Sequence, residues 1–320
     1  MRNCLVLRDF NRDSLVDHPL LYTWAEASSV RGMLVQWLLI TTILAGPVVR
    51  SSSSPAVETA QMQFESGHYD EAIKTLVAVH RLMPDDPAVD YWLERSYYEK
   101  QNFDEAIACG ERAVKTAPQN AEYHRWLGRS YGAKAEQSHS FFLARKVKKA
   151  FETAVNLAPS NVAARRDLIR YLVEAPWIVG GDKEKAKQHI EFVTKLDSVQ
   201  GRLARAEMFW AEKKWKDAEL EYLAALDQHS GNIDAYMEAA DFFEHRQDAN
   251  NLERALNDAV VAAVRDPRVD YYRAVALILR GMELPAACAL LHSYVTNVPE
   301  RADYPSHAAA MKWLRAASVG

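Results

Sequence analysis

The residues best suited to chemistry, by type and spacing, are a set of arginines and tyrosines. Tyr91, Arg95 and Tyr98 stand at offsets 0, 4 and 7, which places all three on one face of a helix. Arg125 and Arg129 occupy the first two of these offsets 34 residues later, and Arg166 and Arg170 occupy them again 41 residues beyond that. Guanidinium forks bind carboxylates or phosphates through paired N–H donors, and tyrosines add apolar contact area. The chemistry implied is recognition of an acidic segment of a protein or peptide rather than the making or breaking of bonds. A second reading stays open. Glu94, Glu99 and Asp167 lie close by in sequence and could neutralise the arginines within a solvated, internally paired face.

Other routes to chemistry are poorly supported. The ten histidines are scattered, with no His-Glu-x-x-His and no pair backed by further ligands. Cys4, Cys109 and Cys288 form no Cys-x-x-Cys. Cys109 and Cys288 read as small packing residues, several units apart and too distant for a disulfide. Ser138-His139-Ser140 has no carboxylate placed to complete a nucleophile and base. Gly180-Gly181 lacks the lysine and the preceding strand of a phosphate-binding loop and reads as a turn. No catalytic residue, metal or cofactor is expected, and the chain is not expected to be an enzyme. The net charge of −4 over 320 residues gives no electrostatic footprint for nucleic acid.

The elements that must position these side chains recur along the chain. Tyr69-Asp-Glu-Ala72-Ile73 and Phe103-Asp-Glu-Ala106-Ile107 lie 34 residues apart, and Trp215-Lys-Asp-Ala218 repeats their pattern. Pro84 and Pro118 close two units, again 34 apart, and Pro159, Pro267 and Pro299 close later ones. The composition favours helices, with only 12 glycines and 12 prolines. The acidic pairs Asp70/Glu71 and Asp104/Glu105 suit helix N-termini. His124-x-x-Leu127-Gly128-x-x-Tyr131 follows the landmark pattern of a first repeat helix, with His in the Trp place.

Over about residues 56–300 the sequence therefore resembles the tetratricopeptide repeat family. The resemblance implies an all-α fold: a right-handed α-solenoid of about seven antiparallel helix pairs plus a C-terminal capping helix. Pairs are expected to begin near Ala56, Pro87, Ala121, Val162, Gly201, Ile233 and Arg268, with the cap at Ser306 to Ala317. The resemblance further implies that Tyr91, Arg95, Tyr98, Arg125, Arg129, Arg166 and Arg170 line a concave, partner-binding groove. The function it implies is a non-catalytic scaffold or adaptor. Chaperone-tail-binding members use lysine and asparagine where Val57, Gln61 and Trp92 stand here, so that specialisation is not carried over.

Two places break the period. The third unit carries seven extra residues around Lys134 to Lys149, expected between its two helices. The fourth carries Ala175-Pro-Trp-Ile-Val-Gly-Gly-Asp182. There Pro176 ends a helix, the glycines allow a left-handed turn and Asp182 caps the next helix. This loop resembles one in a subgroup of exported, cell-envelope bacterial tetratricopeptide proteins. Trp177 is expected to pack beneath the loop, with a second contact point as the alternative. Trp92, Trp126, Trp210 and Trp215 read as packing residues.

The chain divides into an N-terminal extension (1–55), a repeat array (56–300) and a C-terminal capping segment (301–320). The run 33–49 carries no charge and is 17 residues long, short for a spanning helix and closer to the apolar part of an export signal. Cleavage is expected after Ala56 or Ala45, and Met33 is an alternative start. No cysteine follows the run, so a lipidated cysteine there is not expected. The expected location is outside the cytoplasm, in the periplasm or envelope. The alternative is a membrane-anchored or cytoplasmic adaptor that touches membrane only through the uncleaved N-terminal segment.

Overall fold

The computed structural model describes residues 54–262 and 266–318. The apolar run 33–49, the cleavage site after Ala45 and the Met33 start lie outside the described residues. Cleavage after Ala56 would fall inside the first helix and remove Ser54, whose side chain caps that helix.

Fifteen α-helices follow one another, with no strand among the described residues. They form seven antiparallel pairs and a last helix. The pairs are α1 (Pro55–Glu65) with α2 (Tyr69–Leu82), α3 (Pro87–Glu99) with α4 (Phe103–Thr116), α5 (Ala121–Ser138) with α6 (Phe141–Leu157), and α7 (Val162–Glu174) with α8 (Lys183–Leu196). Then come α9 (Ser198–Ala211) with α10 (Trp215–Leu226), α11 (Ile233–Arg246) with α12 (Ala249–Ala262), and α13 (Pro267–Arg280) with α14 (Leu284–Asn297). The final helix is α15 (His307–Ala317). The chain is an α-solenoid, as its periodicity implies.

Local chemistry explains the helix starts. Every first helix of a pair opens on a side-chain cap: Ser54, Asp86, Asn120, Asn161, Asp197, Asn232 and Asp266 accept hydrogen bonds from amides in the following turn. Such caps satisfy donors that have no partner within the helix. The second helices α2, α4 and α10 have no such cap. They open instead on an aromatic, Tyr69, Phe103 or Trp215, with the fully buried Ala72, Ala106 or Ala218 three residues on. The small residue lets the partner helix approach while the aromatic fills the space beside it. In the third pair the same close approach is made by Gly128. A methyl group there would lie 2.5 Å from the Phe151 ring.

The two breaks in the period take different forms. The extra residues of the third unit do not make a loop. They lengthen both helices, to 18 residues in α5 and 17 in α6, because this stretch is rich in strong helix formers. The fourth unit does make a loop. It holds one 3-10 turn (Trp177–Val179), after which Gly180 adopts φ 103° and Asp182 caps α8 through the Lys185 amide. Trp177 does not pack beneath this loop. It is 85% exposed, because Val179 takes the buried position in its place.

After α14 the chain turns back towards its beginning. The Pro299 ring fills the space beside Gly67, where a Cβ would come within 2.3 Å of it. The Arg301 guanidinium donates to the Glu65 carbonyl, and the Ala302 amide donates to Glu99 Oε2 at 2.9 Å. The last repeat is thus joined to the first two.

Candidate functional site

The arginines project from α3, α5 and α7, all first helices of their pairs, but they do not reach into open solvent. Arg129 is 1% exposed. Its Nε donates to Asp167 Oδ2 and its Nη2 to Asp167 Oδ1, both at 2.9 Å. Arg125 Nε lies 3.5 Å from the same Asp167 oxygen and 3.3 Å from Glu122. Arg166 donates to Gln200 at 2.8 Å and to Glu207 and Glu238 at 2.7 Å, and Arg170 also donates to Glu207. The expectation of open guanidinium forks lining a groove is corrected in this respect. Four of the five forks bridge successive first helices.

Arg95 sits apart, in an aromatic cage. Its guanidinium carbon lies 4.6 Å from the Phe64 ring centre, 4.6 Å from Trp92 and 4.5 Å from Trp126, where the ring faces attract a cation. Tyr91 packs its ring 5.1 Å from Tyr123, and its hydroxyl lies 3.4 Å from Arg95 Nη1. Tyr98 is buried between the rings of Phe103 and Trp126. Both tyrosines therefore join neighbouring repeats.

The carboxylates respond to this burial in opposite ways. Burial pushes the acids up, yet the charges of Arg129 and Arg125 hold Asp167 below the usual carboxylate range. Arg166 and Arg170 do the same for Glu207. Where compensation is weaker, burial prevails. Glu238 and Glu174 are each raised to about 7, and Glu94, fully buried and hydrogen-bonded by Ser130 at 2.8 Å, is raised well above its ordinary value. Sequence reasoning found Asp167 but missed Glu207 and Glu238. The missing signal is a carboxylate one or two repeats beyond its arginine: Asp167 is 38 residues after Arg129, Glu207 is 37 after Arg170, and Glu238 is 72 after Arg166.

A cavity lies apart from most of this stripe. Where residues 299–306 return to the first repeats, they close one side of this cavity, which holds about 850 Å³. Helices α3, α5, α11, α13 and α15 supply the remaining walls. Glu99, Glu136, Asp241 and Glu244 contribute carboxylates, and Tyr98 and Trp313 contribute apolar surface. Burial raises Glu99 to about 7 despite its bond from the Ala302 amide. Glu244 accepts from Tyr271 at 2.9 Å and from Trp313 at 2.6 Å. Of the predicted site residues only Tyr98 lines this cavity. Among the described residues no group of three or more His, Cys, Asp or Glu could hold a metal ion, and no helix is long and apolar enough to cross a membrane. Cys109 is buried and Cys288 half-buried, and neither forms a disulfide.

Residues 63–129 match the tetratricopeptide repeat family model. Over this stretch the chain is similar to tetratricopeptide repeats. A solved tetratricopeptide repeat protein from Parabacteroides merdae superposes with a TM-score of 0.52 at 12% identity, covering 82% of this chain and 97% of that one. This supports the same fold. A thermophilic tetratricopeptide protein from Thermus thermophilus gives 0.47 at 17% identity, over 64% and 97% of the two chains. PilF of Pseudomonas aeruginosa gives 0.45 at 13%, over 68% and 95%. Among curated proteins none matches the sequence. Tetratricopeptide arrays are interaction scaffolds whose curved inner faces receive protein partners.

Proposed function

We propose that this chain is a non-catalytic scaffold that holds a segment of a protein partner in the cavity bounded by α3, α5, α11 and α15. The observation that carries this reading is the cavity itself: about 850 Å³, on the inner face of a tetratricopeptide solenoid, within the size range of ligand-receiving clefts. The arginine stripe enters as a set of positioning groups that fix the repeats relative to one another. Because its guanidiniums are matched by Asp167, Glu207 and Glu238, the reading favours a neutral or basic partner segment over an acidic one. An envelope location, with the segment before α1 acting as an export signal, belongs to the same reading. It rests on the uncharged run 33–49 and on the resemblance of the Ala175–Asp182 loop.

The experiment fills the cavity. Gln137 is exposed on α5 and lines it, so Gln137→Trp adds bulk there with little effect on the core. Affinity capture with the wild-type chain and with this variant, each checked for unchanged helix content, is compared by mass spectrometry. The variant is expected to lose the partners that the wild type enriches. An identical set of bound proteins would sink the cavity assignment. Cell fractionation with N-terminal sequencing tests the location: a cytoplasmic chain that keeps residues 33–49 excludes export.

A further inference from the structure

Four large apolar side chains stand out of the solenoid around one short loop. Phe141 and Phe142, the first two residues of α6, are 64% and 69% exposed, and Trp177 and Ile178 are 85% and 53% exposed. The two segments are pinned together. The Tyr171 hydroxyl lies 2.7 Å from the Ala144 carbonyl oxygen and 2.8 Å from that of Val179. Gly180 sits so close to the Lys148 stem that a Cβ would meet it at 2.8 Å.

This exposure is built. Within the loop the Val179 and Gly181 amides donate to the Pro176 carbonyl and the Gly180 amide to that of Trp177, while the Asp182 amide donates to Leu172. The turn admits no side chain at Gly181, where a Cβ would lie 1.8 Å from the Ala175 carbonyl oxygen. A turn fixed this tightly holds Trp177 outward. Exposed apolar side chains grouped in this way mark contact surfaces.

Charge sets the kind of contact. Residues 145–149 of α6 hold Arg145, Lys146, Lys148 and Lys149, and the helix has one acid, Glu152. Arg145 and Lys149 are exposed and make no ion pair among the described residues. Lys146 pairs with Glu111 at 3.1 Å and lies 5.4 Å from the Phe142 ring centre, and Lys148 lies 3.9 Å from Glu152. The second helices α2 and α4 open on acidic pairs, as the helix dipole favours. Helix α6 opens on two phenylalanines and then four cations.

We infer that this aromatic tip with its cationic rim is a docking surface for an anionic lipid bilayer. Tryptophan and phenylalanine settle at the boundary between headgroups and acyl chains, and nearby lysines and arginines are drawn to anionic headgroups. A stable protein interface engages roughly 20–30 residues on each side, whereas a bilayer needs only a few inserted side chains and a basic surround. The surface is separate from the cavity proposed to hold the partner. A scaffold docked in this way would present that partner at the membrane.

The test uses the full chain with vesicles of phosphatidylcholine alone and with about 30 mol% phosphatidylglycerol. Co-sedimentation is expected to be roughly tenfold stronger on the anionic vesicles and to weaken with salt. Trp177→Ser with Ile178→Ser is expected to lower it about tenfold, and Arg145→Glu with Lys149→Glu to remove the preference for anionic lipid. Quenching by brominated lipid, measured as the difference between the wild type and Trp177→Phe, is expected to place Trp177 in the bilayer. Because all the altered side chains are exposed, helix content should not change. Vesicle binding that is absent, equal on both lipids, or unmoved by these variants overturns the inference, as does loss of a captured protein with vesicle binding intact.

Discussion

Arg129 on α5 and Asp167 on α7 face one another as a two-pronged pair, with both N···O distances at 2.9 Å and both residues almost fully buried. Removing one member of such a pair leaves a buried charge without its main compensation, at a typical cost of about 3–5 kcal/mol. Arg125 remains 3.5 Å from Asp167, so Arg129→Ala is expected near the lower end, at roughly 3 kcal/mol. Urea unfolding followed by circular dichroism measures this, and a change below about 0.5 kcal/mol would show that the pair behaves as a solvated one.

Gly128→Ala sets two effects against each other. Alanine is favoured over glycine in a helix by roughly 0.5–1 kcal/mol. The new methyl group, however, would lie 2.5 Å from the fully buried Phe151 ring, and overpacking a filled core costs about 1–3 kcal/mol. The clash should win. The unfolding midpoint is expected to fall, and a rise would mean that Phe151 has room to move.

Glu99 makes closure of the solenoid sensitive to pH. Burial raises its carboxyl from 4.5 to about 7. Below about 4.5 the group is protonated in both folded and unfolded chains, and the fold keeps the full benefit. As pH rises through 7, ionising the buried acid removes that benefit. Glu99→Gln retains an oxygen for the Ala302 amide but cannot ionise. Its melting temperature should match the wild type near pH 4.5 and exceed it at pH 8, with an upper bound of about 3 kcal/mol. A constant gap across this range would remove Glu99 as the cause.

Tyr171→Phe deletes the hydroxyl that joins α6 to the Trp177 loop. A lost hydrogen bond of this kind costs about 0.5–1.5 kcal/mol. The effect should be local. Hydrogen exchange at the amides of residues 179–182 is expected to accelerate, with α9 to α14 unchanged. Uniform acceleration throughout the array would instead point to global destabilisation.

The repeats were legible because packing between successive helices forces the same residue types to recur. Ala72, Ala106 and Ala218 are each 0% exposed, and the prolines mark the ends of units. Expected pair starts at Pro87, Ala121, Val162 and Ile233 coincide with those of α3, α5, α7 and α11, while Gly201 falls three residues inside α9. The arginine stripe was legible as a pattern, since its spacing does place it on successive first helices. Its environment was not, because a guanidinium on a helix face looks the same in sequence whether it meets water or Glu207. The exposure of Trp177 was hidden for a related reason. Only the hydrogen bonding of the turn decides that Val179, two residues on, takes the interior place.

The contact of Pro299, Arg301 and Ala302 with the first two repeats changes how the array should come apart. An open solenoid has two loose ends, and its terminal units fray independently of the middle. Here the Ala302–Glu99 bond ties residues 203 positions apart in the chain. Neither end can then peel away without first breaking that tie. Damage in α1 should be felt by α14, so unfolding should approach a single cooperative event, and the late pairing of distant segments should slow the final step of folding.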